Sequence, residues 1–163
     1  MRELEISFDH RGSAETLYGR LTDPVFLKAQ ALAVGALKAE VIESGIAAAG
    51  PRTVVRQSVE ADVPRALSRV LPSTIETTEY NEWSADGAGT YRSTWKVDLS
   101  GVPVSLKGRT TISAVNSGST FRLTVEVKAS VPLIGGKIES LIVENINRDA
   151  QLRDDYLRAH ASS

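Results

Sequence analysis

Five carboxylates crowd one stretch of the chain: Glu60 and Asp62 close one alternating run, and Glu76, Glu79 and Glu82 fall within the next. A carboxyl pair in apolar surroundings can do acid–base work if burial raises one pKa. Positions 76, 79 and 82 do not share a parity, so in a strand at most some of them face one side. The plainer expectation is a solvated outer face, with Arg56 or Arg92 pairing across strands for little energy. The two histidines, His10 and His160, stand at opposite ends of the sequence. Asp9 beside His10 hints at a Ser-His-Asp set, but neighbouring strand residues point apart. His160 falls where a last helical turn favours a cation. Both histidines are therefore expected at the surface. With no Cys and no His-x-x-x-His spacing, no metal site is expected.

Gly135-Gly136-Lys137 invites a phosphate-loop reading that fails on spacing. The loop needs Gly where Val131 stands and Ser or Thr where Ile138 stands, so the glycines read as a hinge before a helix. Asp86-Gly87-Ala88-Gly89 reads as a hairpin turn, not a dinucleotide fingerprint. No cofactor is expected.

The elements that would position any site follow from the hydrophobic period. Leu4, Ile6 and Phe8 alternate with charged and polar neighbours as a half-buried strand does. Ser13 or Gly12 can cap a helix from Ala14, and Asp23-Pro24 can open a second, roughly Val25 to Ala33. From Ala36 the period is two for almost a hundred residues, with turns at Ser44-Gly45, Ala49-Gly50-Pro51, Asp86-Gly89 and Asn116-Gly118. Thr74–Trp83 is a strand by β-branched content, but its register is left open. After Pro132 the spacing of Ile138, Leu141, Ile142 and Asn145 predicts a long amphipathic helix to about His160. The fold class is therefore α+β: seven antiparallel strands curled by twist, two short helices after the first strand, and a C-terminal helix covering the concave face.

The chain has 163 residues, 19 Lys+Arg against 20 Asp+Glu, and a formal net charge of -1. That suits one domain over 1–163 and lacks the basic footprint of a nucleic-acid binder. No apolar run reaches the ~20 residues of a membrane span. The alternating start does not read as a signal peptide, so a cytoplasmic location is expected. Oligomeric state is not set by the sequence.

Several inward positions are small or polar: Ala39, Gln57, Ser93, Gly108 and Thr110. Unpartnered buried polar groups cost about 1–3 kcal/mol each, so this set points to water or a ligand inside the curl. Tyr91 and Trp95 offer flat walls with polar handles, Ser93 and Thr110 offer hydroxyls, and Ile138, Leu141, Ile142 and Asn145 form the facing stripe. Plain core packing is the competing reading of these residues. The Pro-bounded segment 63–72, with Leu67, Val70 and Leu71 beside two Arg, is read as a portal loop able to touch a membrane surface transiently.

The order of elements and several local motifs resemble the START-like superfamily, also called Bet v 1-like or SRPBCC, whose fold is the helix-grip. Within it the chain is similar to the bacterial domain of unknown function numbered 2505. The resemblance spans essentially the whole chain. It rests on Ala14-Glu15-Thr16-Leu17-Tyr18, Leu21-Thr22-Asp23-Pro24, Asp62-Val63-Pro64 and Pro132-Leu133-Ile134-Gly135-Gly136-Lys137-Ile138-Glu139. It implies a hydrophobic cavity between sheet and C-terminal helix, used by relatives for lipids, sterols, polyketides or plant hormones; a few relatives catalyse cyclisation or dehydration. Three functions follow as expectations. The first is binding or transport of a hydrophobic small molecule. The second is an enzyme using Glu79, Tyr80, Ser93 or Thr110. The third is a ligand-free interaction module.

Overall fold

The computed structural model describes residues 1–161. Strand β1 (Arg2–His10) turns Leu4, Ile6 and Phe8 inward and leaves Glu3, Glu5 and Ser7 in water. Ser13 caps helix α1 (Ala14–Leu21), its hydroxyl accepting the Thr16 N–H at 3.1 Å. Asp23 caps α2 (Pro24–Ala33) through the Val25 N–H at 3.0 Å, with Pro24 in the first turn, where an N–H has no partner to lose. Then come β2 (Lys38–Ala47), β3 (Gly50–Glu60), a 3-10 turn at Arg65–Leu67, β4 (Thr74–Ala85), β5 (Thr90–Leu99), β6 (Val104–Val115) and β7 (Gly118–Ala129). The last helix, α3, runs from Gly135 to His160.

The strands form one antiparallel sheet in the order β1-β7-β6-β5-β4-β3-β2. Consecutive strands β1 and β2 are thus its two edges, and α1 and α2 bridge them. The curved seven-stranded sheet wraps the long C-terminal helix: the α+β helix-grip architecture. Between β4 and β5, Asp86 Oδ1 accepts the N–H groups of Ala88 at 2.7 Å and Thr90 at 3.1 Å. These backbone donors, Ala88 first, hold the Asp86 carboxyl below the usual range. Gly87 and Gly89 supply the positive φ of 76° and 92° that this turn requires.

The β4 register is set by both neighbours: Glu79 lies opposite Val55 of β3 and Val97 of β5. One face of β4 therefore carries Ile75, Thr77, Glu79, Asn81 and Trp83 inward. Glu76 and Glu82 take the outer face, where they meet Arg56 at 3.7 Å and Arg52 at 3.0 Å.

Two separate cores pin α3 at its ends. Leu157 and Ala161 join Leu17, Phe26, Trp83 and Ile112 at one end. Ile138 joins Leu67, Leu71, Ile75 and Val102 at the other. Polar clamps reinforce both ends. Glu139 Oε2 accepts the Ala129 N–H at 3.0 Å, and that donor is the main reason its carboxyl sits below the usual range.

At the far end His10 Nε2 lies 2.7 Å from Asp154 Oδ1, and Arg158 Nε donates to Asp154 Oδ2 at 2.7 Å. Burial by itself would raise the Asp154 carboxyl; the contacts from His10 and Arg158 outweigh it and hold it low. His10 is thus not the surface residue expected, its side chain being only 3% exposed. The reason is parity: position 10 continues the inward series 4, 6, 8 of β1, which places the ring under α3. His160 is exposed, its ring stacked on Tyr156 with centroids 4.0 Å apart.

Candidate functional site

Between the two cores that hold its ends, α3 and the sheet leave a space. The helix stripe that begins apolar at Ile138 and Ile142 continues as Asn145, Asp149 and Arg153 before Leu157 restores the core. Opposite it the sheet presents Gln57, Thr77, Glu79, Asn81 and Thr110. Polar groups from both sides prevent a dry closure, and a cavity of about 450 Å³ remains. That volume is in the ~300–1,000 Å³ range of small-molecule sites. Elsewhere its walls are apolar, with Phe8, Val97, Leu106 and Phe121 from the sheet, Leu27 from α2 and Ile146 from α3. Exposed members of the lining, Gly35, Glu60, Arg148 and Leu152, mark where it opens to solvent.

The polar end is organised. Asn81 Nδ2 donates to Glu79 Oε1 at 3.0 Å, and Ser93 Oγ donates to Asn81 Oδ1 at 3.3 Å. From α3, Arg153 Nε donates to Asp149 Oδ2 at 2.7 Å, while the Arg153 carbonyl accepts Gln30 Nε2 at 3.1 Å. Burial would depress the Arg153 pKa; the carboxylates of Asp149 and Glu79 outweigh it and raise it. Arg148 Nη2 donates to Asn145 Oδ1 at 2.8 Å. Three further buried atoms of lining residues, Trp83 Nε1, Trp95 Nε1 and Thr77 Oγ1, have no protein partner among the described residues. Trp95 owes its position to its cross-strand neighbour Gly108: a Cβ there would sit 2.5 Å from Trp95 Cζ2 and on the Thr124 carbonyl oxygen.

Of the residues expected from sequence, Trp95, Thr110, Ile142 and Asn145 line the cavity. Tyr91 instead stacks on Tyr18 with centroids 4.2 Å apart, and Ser93 is buried and hydrogen-bonded to Asn81 without joining the lining. Ile138 and Leu141 pack in the core at the start of α3. Leu67 and Leu71 are buried in the same core and Val70 is half-buried; none of the three belongs to the cavity wall.

Glu79, for which a solvated face is the plainer expectation and a place in the cavity the alternative, lines the cavity. Its inward parity is shared with Trp83, but Thr77 and Asn81 between them hide the apolar alternation. Asp149, Arg153 and Gln30 were not singled out from sequence. The first two extend the Ile142–Asn145 stripe at helical spacing, so following that stripe past its apolar members would have found them.

Among the described residues, no group of three or more His, Asp or Glu could hold a metal ion. Nor is any helix among them long and apolar enough to cross a membrane.

Comparison with solved structures finds this fold over nearly the whole chain. The protein TTHA0849 from Thermus thermophilus matches with TM-score 0.67 at 20% identity, covering 99% of this chain and 100% of its own. A START superfamily protein from Mycobacterium smegmatis matches with TM-score 0.58 at 12% identity, over 98% of this chain and 96% of the other. A STAR-related lipid transfer protein from Xanthomonas axonopodis matches with TM-score 0.61 at 14% identity, over 94% and 86%. At these identities the likeness is one of fold. Comparison with curated proteins gives no match. The model of a family described as protein of unknown function, DUF2505, matches residues 5–159. The helix-grip sheet, the motifs that open α1 and α3, and this match over nearly all of the chain place it in the DUF2505 family, within the START-like fold.

Proposed function

We propose that the protein binds a small, largely hydrophobic molecule between its sheet and α3, as a carrier or a sensor. The observation that carries this reading is the cavity itself: about 450 Å³ between the sheet and α3, with a core at either end of the helix. The START superfamily and lipid-transfer neighbours support it as proteins of like fold.

A neutral naphthylamine dye that brightens in apolar surroundings provides the test. The dye is expected to bind saturably, and organic extraction of freshly purified protein to yield a bound lipid-like mass. Val97→Phe, which fills the cavity from the sheet side, should weaken the dye at least fivefold while the protein stays folded by circular dichroism. Equal binding by native protein and Val97→Phe would remove the cavity from the account.

A second reading, chemistry on the bound molecule, is favoured by one observation only: the carboxylate of Glu79 faces the cavity with Asn81 hydrogen-bonded to it. Turnover that disappears in Glu79→Gln while binding persists would establish it.

A further inference from the structure

The polar end of the cavity has unused hydrogen-bonding capacity of both signs. Arg153 gives its Nε to Asp149, and among the described residues neither Nη has a protein acceptor. Glu79 receives Asn81 on Oε1, and among those residues Oε2 has no donor. Both residues line the cavity, one from the helix and one from the sheet. A ligand end seated between them meets a donor on one side and an acceptor on the other.

Charge narrows the choice. Four carboxylates line the cavity, Glu60, Glu79, Asp149 and Asp154, against two guanidinium groups, Arg148 and Arg153. Glu60 and Arg148 are both exposed at the opening and of opposite sign, Asp154 is already matched by Arg158 outside the lining, and Arg153 by Asp149. Glu79 remains as an inward carboxylate whose hydrogen-bond partner, Asn81, is uncharged. A ligand carboxylate would bring another negative charge beside it, and like charges at close range repel. An ammonium would satisfy Glu79 but has no lone pair for the Arg153 Nη groups. A hydroxyl both donates and accepts, and leaves the charge unchanged.

Resting on the binding reading above, we infer that the cavity selects an uncharged amphiphile, its hydroxyl seated between Arg153 and Glu79 and its hydrocarbon body against the apolar wall. Free fatty-acid anions are selected against.

The experiment loads the full-length protein with the neutral naphthylamine dye at pH 7.5. It then titrates in dodecan-1-ol, dodecanoate or dodecane, each below its aggregation threshold. Dodecan-1-ol is expected to displace the dye at a concentration at least tenfold lower than either of the others. In Glu79→Gln, which removes the charge and keeps the shape, dodecanoate should gain and the alcohol-to-carboxylate ratio fall to threefold or less.

Equal or stronger displacement by dodecanoate or by dodecane overturns the inference, as does a ratio unmoved in Glu79→Gln. The wild-type ranking needs no variant, so it decides even if Glu79→Gln folds poorly. Dye that binds while the ranking reverses refutes the hydroxyl preference alone. Failure of the native protein to bind the dye or any of the three chains refutes the binding reading, and this inference with it.

Discussion

Asp154→Asn removes the negative charge and one of the two acceptor oxygens that tie the end of α3 to His10 of β1 and to Arg158, and so probes what keeps the helix over the cavity. The carboxylate side chain is 3% exposed and so is that of His10, whereas Arg158 is 43% exposed. Hydrogen bonds to a charged group contribute about 1.5–3 kcal/mol each. Arg158 can recover hydration and the buried His10 cannot, so the expected loss is near the upper end for one such bond, about 3 kcal/mol. For a chain of this size, roughly 2–4 °C of Tm accompany each kcal/mol, giving a fall of about 6–12 °C.

Urea unfolding at pH 7, followed by the fluorescence of the buried Trp83 and the half-buried Trp95, measures it. The pH dependence supplies a second reading. The Asp154 carboxyl is held below its usual value in the folded protein. Its stabilisation is therefore complete above the unfolded pKa of about 3.9 and is lost as pH falls through the lower folded value. The gap between wild type and Asp154→Asn should accordingly close below about pH 4. A loss under about 1 kcal/mol at pH 7, or a gap unchanged down to pH 3, would refute the clamp.

Gly108→Ala should destabilise by about 1–3 kcal/mol and shift the Trp95 emission, because the added methyl falls on the Thr124 carbonyl and against the indole. Chemical denaturation with emission spectra checks both. Leu67→Ala should lose about 2–5 kcal/mol, since Leu67 is buried in the core around Ile138. Its affinity for the naphthylamine dye should stay within twofold of wild type, because Leu67 is outside the cavity wall. A large change in dye affinity or exchange rate with little loss of stability would instead favour a portal role for the 63–72 segment.

Much of the architecture is legible along the chain because strands with one wet face write their parity into it. β5 and β6 read cleanly, Tyr91 to Leu99 and Val104 to Ile112, and the caps at Ser13 and Asp23 sit where the helices begin. β4 does not read this way, and the reason is the cavity. A strand facing a half-polar hollow carries Thr77, Glu79 and Asn81 at inward positions, so its periodicity fades where the candidate site lies.

The sequence by itself determined the local terms: the periods, the turns, the caps and the change to helical spacing after Pro132. These depend on residues within a few positions of one another. Only tertiary structure decided which polar residues share the hollow. Glu79 and Arg153 are 74 positions apart and come together because α3 crosses the sheet between two cores. His10 and Asp154 meet for the same reason, at a place where each sequence neighbourhood, read alone, looks like surface.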